Sequence, residues 1–232
     1  MAETGRRRGD ARASRLLNET YRRLLSHYGP QGWWPSDGPF EMIVGAILTQ
    51  NTAWTNAARA IAALKDAGLM SPAALREAPQ SEVAEAVRPS GYFNEKARKL
   101  KAMAGFLGRY GDDVEAWRAM APRELRAELL GVYGIGPETA DDIVLYAAGL
   151  PSFVIDVYTE RIVRRMSPRR RLHGYAALQE YFERNLPRDA SLYNEYHALL
   201  DAHAKEVCLK RDPRCGACTL RDLCATGRKA LV

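Results

Sequence analysis

The chain has 232 residues, 47% of them hydrophobic, which is enough for one compact core or two closely joined ones. Lys and Arg number 34 against 28 Asp and Glu, and the formal net charge of +6 favours a polyanionic partner. No apolar run approaches the roughly 18 residues of a membrane helix, and the N-terminal segment is charged where a signal peptide is apolar, so we expect an intracellular protein without a membrane partner.

The predicted elements are helices nearly throughout. The composition of residues 1–15 is basic and poor in apolar side chains, which predicts a flexible tail. Beyond it, apolar residues recur at intervals of three and four, which is typical of short amphipathic helices. These stretches are Leu16–Leu25, Phe40–Leu48, Ala57–Leu64, Ala97–Leu107, Arg123–Leu130, Ala140–Ala148, Val157–Met166 and Tyr175–Phe182. Clusters of Gly, Pro, Ser and Asp separate them, and the sequence therefore predicts an all-α fold.

A glycine turn joins two of these predicted helices. Gly134 and Gly136 permit a tight turn, and Pro137 suits the first turn of the next helix, where an amide hydrogen is not needed. Backbone amides at such a helix start bind phosphate without reading a base, although many Gly-x-Gly turns are plain connections. The segment predicts a helix–hairpin–helix, with Gly134, Gly136 and Thr139 as candidate phosphate ligands.

One carboxylate ends the apolar run 153–155. Asp156 directly precedes a predicted helix, where aspartate is a common N-cap. Backbone amides at a helix start also hold a carboxylate ionised and immobile, which suits electrostatic catalysis. The sequence leaves both roles open.

All four cysteines lie close together, at Cys208, Cys215, Cys218 and Cys224. Two disulfides confined to one end would do little for a core of this size, so a metal-ligand set is favoured. Zinc suits four thiolates but usually takes two close pairs, whereas only Cys215 and Cys218 form such a pair here. The wider gaps on either side suit a loop around a [4Fe-4S] cluster. Spacing leaves both metals open.

The glycine hairpin, the Val-Ile-Asp segment 154–156 and the cysteine loop together resemble the helix-hairpin-helix DNA glycosylases of the endonuclease III superfamily. The resemblance runs from about Trp33 to Cys224. It implies base-excision repair of damaged double-stranded DNA, Asp156 as the catalytic aspartate, and a [4Fe-4S] cluster rather than zinc on the four cysteines.

The resemblance also implies an architecture. We expect two helical lobes with a DNA-binding cleft between them. One lobe takes residues 39–150 with the hairpin, and the other takes 16–38 plus 151–232 with the cluster loop. Asp156 is then expected at the junction, close to the hairpin.

One departure bears on the reaction. Bifunctional members of the family carry a lysine after the hairpin, and Glu138 stands in that place here. A carboxylate cannot form a Schiff base, so we expect a monofunctional glycosylase unless another amine substitutes.

Further segments resemble the 3-methyladenine DNA glycosylase III branch, which removes alkylated purines and also lacks the lyase lysine. They are Trp33-Trp34-Pro35 and the segments at 48–52, 87–92, 94–97 and 140–143. The cysteine cluster is not part of that branch's pattern, which leaves the lesion open.

The same resemblance implies a pocket for a flipped base. The candidates to line it are Trp33, Trp34, Pro35 and Trp54. Indole faces attract a cationic alkylpurine, but large aromatics equally fill cores. Gln50 corresponds to a residue inserted into the gap left by the base, and Lys205 to the pocket floor. A structural glutamine and an exposed surface lysine are the alternatives.

Several basic residues are candidate phosphate contacts. Those in the cysteine loop are Lys210, Arg211, Arg214 and Arg221, and the arginine runs are Arg6–Arg8 and Arg169–Arg171, which are otherwise solvated segments.

Three functions follow. The first is a monofunctional alkylpurine glycosylase, the second a glycosylase of the same fold for oxidised, deaminated or mismatched bases, and the third a non-catalytic DNA-binding relative. We expect a monomeric cytoplasmic protein, associated with the nucleoid if the source is a prokaryote.

Overall fold

The computed structural model describes residues 10–167 and 172–230, and every regular element in these ranges is helical. The α-helices are α1 (Ala11–Tyr28), α2 (Pro39–Leu48), α3 (Trp54–Asp66), α4 (Pro72–Glu77), α5 (Gln80–Ala86), α6 (Phe93–Gly108), α7 (Pro122–Leu130), α8 (Pro137–Asp142), α9 (Val157–Met166), α10 (Tyr175–Asn185), α11 (Ala190–Glu206) and α12 (Ala225–Lys229). The predicted all-α class is confirmed. None of the described helices combines the length and apolar character needed to cross a bilayer.

The flexible tail predicted over 1–15 is too long. Helix α1 already begins at Ala11, because the side chain of Asp10 accepts a hydrogen bond from the backbone N–H of Arg12 and caps the helix. Residues 1–9, with Arg6–Arg8, and the second run Arg169–Arg171 lie outside the described residues.

The chain divides into two compact units. The first comprises the described residues up to Trp33 and those from Phe153 onward, and the second is Trp34–Ser152. Residues 34–38, assigned to the first lobe from sequence, thus belong to the second unit. The reason is the packing of the Trp34 indole on α2, where a Cβ added to Gly45 would lie 3.2 Å from the Trp34 ring nitrogen.

The second unit is built around α2. Every residue from Met42 to Leu48 is buried, as expected for a helix that is apolar on all sides. Helices α3 and α6 pack against it, as does the segment Ile143–Ala147, where α8 continues as a π-helical turn rather than as the regular α-helix predicted from sequence.

A buried lysine fixes the end of α2. The Lys96 ammonium donates hydrogen bonds of 2.8 Å to the carbonyls of Leu48 and Ser90, and Thr52 donates to the same Ser90 carbonyl. Burial, with a smaller contribution from Lys99, lowers the pKa of Lys96 to about 8. These bonds set the path of the chain through Gln50.

The first unit is centred on α11, which packs against α1 and α9. Its core is aromatic: Phe153 stacks on Phe182 with ring centroids 4.0 Å apart, and the fully buried Tyr196 donates to the Leu17 carbonyl. Because residues 153–155 are buried in this core, the start of α9 at Asp156 is fixed in place.

Candidate active site and cysteine loop

The helix–hairpin–helix is formed by α7, a turn and α8. Gly134 has a φ of +78°, and a Cβ there would lie 2.6 Å from Lys99 Cδ, so this position requires glycine. Gly136 differs, because its φ is −92° and a Cβ there would meet nothing within 4 Å. Pro137 begins α8 as the sequence predicts. Of the two glycines, only Gly134 is required by the turn itself.

Gln50 is tied to the hairpin by side-chain hydrogen bonds. Its amide donates to the Thr139 hydroxyl at 2.9 Å and to the Gly134 carbonyl at 3.2 Å, while Lys99 donates to its Oε1 at 2.6 Å. Thr139 is only 6% exposed, so its hydroxyl faces this network rather than open solvent. The sequence did not single out Lys99, because nothing in its local pattern indicates a partner 49 residues away.

Two other hairpin side chains are exposed. Tyr133 is 46% exposed, donates its hydroxyl to Glu95, and has the Arg98 guanidinium 4.5 Å from its ring centroid. Glu138, in the place of the lyase lysine, is exposed on the first turn of α8. The hairpin surface therefore presents a carboxylate at that position and an aromatic ring that the sequence analysis missed.

Asp156 caps α9, as the sequence allowed. Its Oδ1 accepts a 2.7 Å hydrogen bond from the Thr159 backbone N–H, and its side chain is 14% exposed. Its Oδ2 lies 3.8 Å from Nε2 of His197, which is buried on α11. One carboxylate oxygen is thus fixed by the helix and the other faces an imidazole.

His197 joins this carboxylate to an aromatic ring. The Trp33 indole stacks on the imidazole, with ring centroids 5.5 Å apart and planes 13° apart. Burial lowers the pKa of His197, against the raising effect of Asp156 and Asp201, so the imidazole is neutral near pH 7. Sequence reasoning missed His197, whose only signal is a single histidine within an apolar stretch of α11.

Lys205 lies one turn beyond Asp201 on the same helix. Its ammonium is 2.7 Å from the Asp201 carboxylate and 5.9 Å from the Tyr158 ring centroid, and its side chain is 54% exposed. Burial raises the pKa of Asp201, and the hydrogen bond from Lys205 opposes that shift. Asp156, His197, Asp201 and Lys205 form one polar group in the first unit.

The other pocket candidates lie in the second unit. Trp34 contacts Trp54 edge to face, with centroids 5.6 Å apart, and lies at the same distance from Tyr146. Trp54 is 37% exposed, and Pro35 is also exposed. The four predicted pocket residues are therefore divided, with Trp33 stacked on His197 in the first unit and Trp34, Pro35 and Trp54 in the second unit, where the two indoles are in contact.

The four cysteines line one cavity. Its wall includes His203, Arg165 and Leu220 in addition to the thiols. The four are free thiols, so the structure contains none of the disulfides that were the minor alternative. Within the described ranges, no three Cys, His, Asp or Glu side chains converge on a single metal-ion position.

The surroundings of the thiols are set by burial and by hydrogen bonds from Arg165. Burial raises the pKa of Cys218 to about 11 and also raises the pKa of Cys224. The Arg165 guanidinium donates to Cys208 Sγ at 3.2 Å and to the carbonyls of Cys208, Leu209 and Lys210. The loop is therefore anchored to α9 on one side of the cavity.

The basic residues of the loop lie on its outer side. Lys210, Arg211 and Arg214 are exposed, and Arg221 is half-buried. They give the cysteine loop a positively charged surface.

Comparison with known proteins identifies the family. The model of the HhH-GPD superfamily base excision DNA repair proteins matches residues 44–188. A candidate DNA repair glycosylase of Methanocaldococcus jannaschii is 40% identical over 213 residues, covering 90% of this chain and 96% of its own length. The chain belongs to the HhH-GPD superfamily and is a DNA base-excision repair glycosylase.

Two further relatives differ in their named activities. Endonuclease III of Sulfolobus acidocaldarius is 30% identical and covers 80% of this chain and 81% of its own. Thymine-DNA glycosylase of Aeropyrum pernix is also 30% identical, with coverages of 88% and 92%.

Solved structures share the fold. An endonuclease III–DNA covalent intermediate superposes with a TM-score of 0.80 at 20% identity, covering 94% of this chain and 99% of its own. The Helicobacter pylori 3-methyladenine DNA glycosylase MagIII, bound to 1,N6-ethenoadenine, gives a TM-score of 0.71 at 27% identity, with coverages of 84% and 97%. The resemblance seen in the sequence is confirmed.

Proposed function

We propose that the protein is a monofunctional DNA glycosylase that hydrolyses the N-glycosidic bond of alkylated purines such as 3-methyladenine. The observation that carries the proposal is the arrangement at the start of α9. There, a carboxylate fixed by a backbone amide faces a neutral buried imidazole, and an indole stacks on that imidazole.

A cationic base suits this arrangement. A purine alkylated at N3 or N7 already carries positive charge, so the C1′–N bond breaks with its electron pair going to the base, without a proton donor. The sugar is left with oxocarbenium character, which the Asp156 carboxylate stabilises. Asp156 then takes a proton from the water that adds to C1′.

The neutrality of His197 supports the same substrate class. A protonated imidazole on Trp33 would repel a cationic base that approaches the indole. Because burial lowers the pKa of His197, the ring stays uncharged and the electron-rich indole attracts the base. We place Trp33 in the base pocket on this ground.

Neither Glu138 nor Lys205 favours strand cleavage. Glu138 replaces the lysine of bifunctional relatives, and the Lys205 ammonium is paired with Asp201. A Schiff base requires an unprotonated amine, so cleavage of the abasic product is expected only after alkali.

We propose a [4Fe-4S] cluster on Cys208, Cys215, Cys218 and Cys224. Zinc would need its thiolates to converge at about 2.3 Å from one ion, whereas the four thiols line one cavity and no three of the described metal-ligating side chains converge on a single-ion position. When bound, the cluster would crosslink the loop and so fix the orientation of its basic outer surface toward DNA phosphates.

We assign DNA contacts to the hairpin and to the basic loop. Gly136 leaves open space at the start of α8, where a phosphate can approach backbone amides. Gln50 is held against the hairpin by its bonds to Gly134 and Thr139, so it is placed to fill the gap left by a flipped base if these bonds rearrange.

A mismatch glycosylase is the second candidate. It is favoured by the likeness to the thymine-DNA glycosylase of A. pernix over 88% of this chain. A neutral thymine is a poorer leaving group than an alkylated purine, so the two candidates predict different released bases.

The test is base release from duplex DNA by the purified protein. Methylated duplex should yield free 3-methyladenine, with strand breaks only after alkali. Release of thymine from a G·T duplex, without release from methylated DNA, would support the second candidate. Breaks without alkali would show that another amine performs lyase chemistry.

A further inference from the structure

Three side chains in series connect α1 to one of the cysteines. The Tyr28 hydroxyl lies 3.0 Å from Nδ1 of His203, and Nε2 of His203 lies 3.5 Å from Cys218 Sγ. The His203 side chain is 1% exposed and Cys218 lines the cysteine cavity. The three groups are spaced for two consecutive hydrogen bonds that end at a sulfur.

The direction of these bonds is fixed once Cys218 is a metal-bound thiolate. A thiolate has no proton to give, so Nε2 of His203 must be the donor toward Sγ. The Nδ1 atom can then accept from Tyr28, whose phenol retains its proton because burial raises its pKa to about 12. Each bond therefore reinforces the other.

We infer that Tyr28 and His203 form a hydrogen-bond relay to the Cys218 sulfur that raises the reduction potential of the bound cluster. The inference rests on the proposed [4Fe-4S] cluster. His203 and Tyr28 act here as positioning residues for the cluster.

The expected sign follows from charge. A hydrogen bond to a cluster sulfur stabilises the more negative, reduced state, which raises the potential of the one-electron couple. Losing the bond lowers it. Water entering the cavity has the opposite effect, because solvent exposure of a cluster also stabilises the reduced state. The direction of the shift therefore separates loss of the relay from simple loosening of the packing.

The experiment measures the reduction potential by protein-film voltammetry, with the electrode supplying the electron. Tyr28→Phe removes only the hydroxyl and is the mildest variant. His203→Leu removes the donor, and His203→Gln keeps a side-chain N–H donor. His27→Gln is the control, because His27 adjoins the Tyr28 ring but is exposed.

We expect a more negative potential for Tyr28→Phe and a larger shift for His203→Leu. His203→Gln should recover part of the shift, and His27→Gln should match the wild type. Iron and sulfide content and the visible absorbance of each protein are measured first. If His203→Leu does not fold, comparing the reduction potentials of Tyr28→Phe and His27→Gln tests the relay in the same way.

Two results would overturn the inference, and they are distinguishable. If the cluster is present and the potential of Tyr28→Phe equals the wild-type potential or is more positive, the relay alone is eliminated. A wild type that contains no iron or sulfide after anaerobic reconstitution contradicts the cluster assignment, and the relay with it. Base release by the loaded wild type, measured in parallel, tests the glycosylase activity separately from the reduction potential.

Discussion

Replacing each hairpin glycine by alanine should separate folding from DNA binding. At Gly134 the new Cβ meets two obstacles. The φ of +78° costs an L-residue about 1–2 kcal/mol. Lys99 must also leave, because its Cδ would be 2.6 Å away. Loss of the Lys99–Gln50 hydrogen bond then adds about 0.5–1.5 kcal/mol.

The expected destabilisation of Gly134→Ala is thus about 1.5–3.5 kcal/mol, or a fall in Tm of roughly 3–14 °C for a chain of this size. Gly136→Ala should behave oppositely. Its φ of −92° accepts alanine, and a Cβ there has nothing within 4 Å, so stability is retained or rises by about 0.4–1 kcal/mol.

Gly136→Ala, although harmless to stability, should weaken DNA binding. A methyl group on the open surface keeps a phosphate from the amides at the start of α8. Loss of a hydrogen bond to a charged group, about 1.5–3 kcal/mol, weakens binding roughly 10- to 100-fold. Scanning calorimetry and fluorescence anisotropy with a duplex containing an abasic-site analogue measure the two properties. The reasoning is refuted if Gly136→Ala unfolds as readily as Gly134→Ala, or if it binds DNA like the wild type.

Three further predictions concern the loop, the buried histidine and the hairpin carboxylate. On α12, which borders the cysteine cavity, Gly227→Ala puts a Cβ 2.9 Å from the Arg221 carbonyl oxygen and should lower the iron content after reconstitution, whereas Gly216→Ala in the loop, with nothing within 4 Å, should not. Because burial lowers the pKa of His197, the unfolded state binds more protons below about pH 6.5, so stability should fall as pH drops through that value. Asp201, whose pKa is raised, changes stability in the opposite direction at lower pH, and Asp156 and Lys205 also face the imidazole. Thermal melts from pH 8 to 5 are therefore compared with those of His197→Gln, in which the fall of stability with decreasing pH should be absent. Glu138→Lys should introduce strand cleavage without alkali and a borohydride-trapped DNA adduct, and its absence would mean that this position does not reach the sugar.

Local features were predictable from the sequence because their causes are local. The cap at Asp156, the start of α8 at Pro137 and the buried helix α2 depend on residues within one or two turns of each other. The short helices α4 and α5 were not predicted, since six or seven residues give too little periodicity.

The missing parts of the site are long-range contacts. The pairing of Asp156 with His197 joins residues from α9 and α11, and that of Lys99 with Gln50 joins α6 to the end of α2. Neither partner carries a sequence motif. The division between Trp33 and Trp34 was missed for the same reason, since adjacent identical residues pack into different units.

The most direct test of the account is the single-turnover rate of 3-methyladenine release by Asp156→Asn. Asparagine keeps an oxygen to accept from Thr159, so the cap and the fold should be retained, whereas the negative charge is lost. The control is Asp189→Asn, since Asp189 caps α11 through the same kind of bond to Leu192.

We predict that Asp156→Asn melts within about 0.5 kcal/mol of the wild type and releases base roughly 10²- to 10⁴-fold more slowly, while Asp189→Asn keeps the wild-type rate. A folded Asp156→Asn protein that releases base at the wild-type rate would contradict the account.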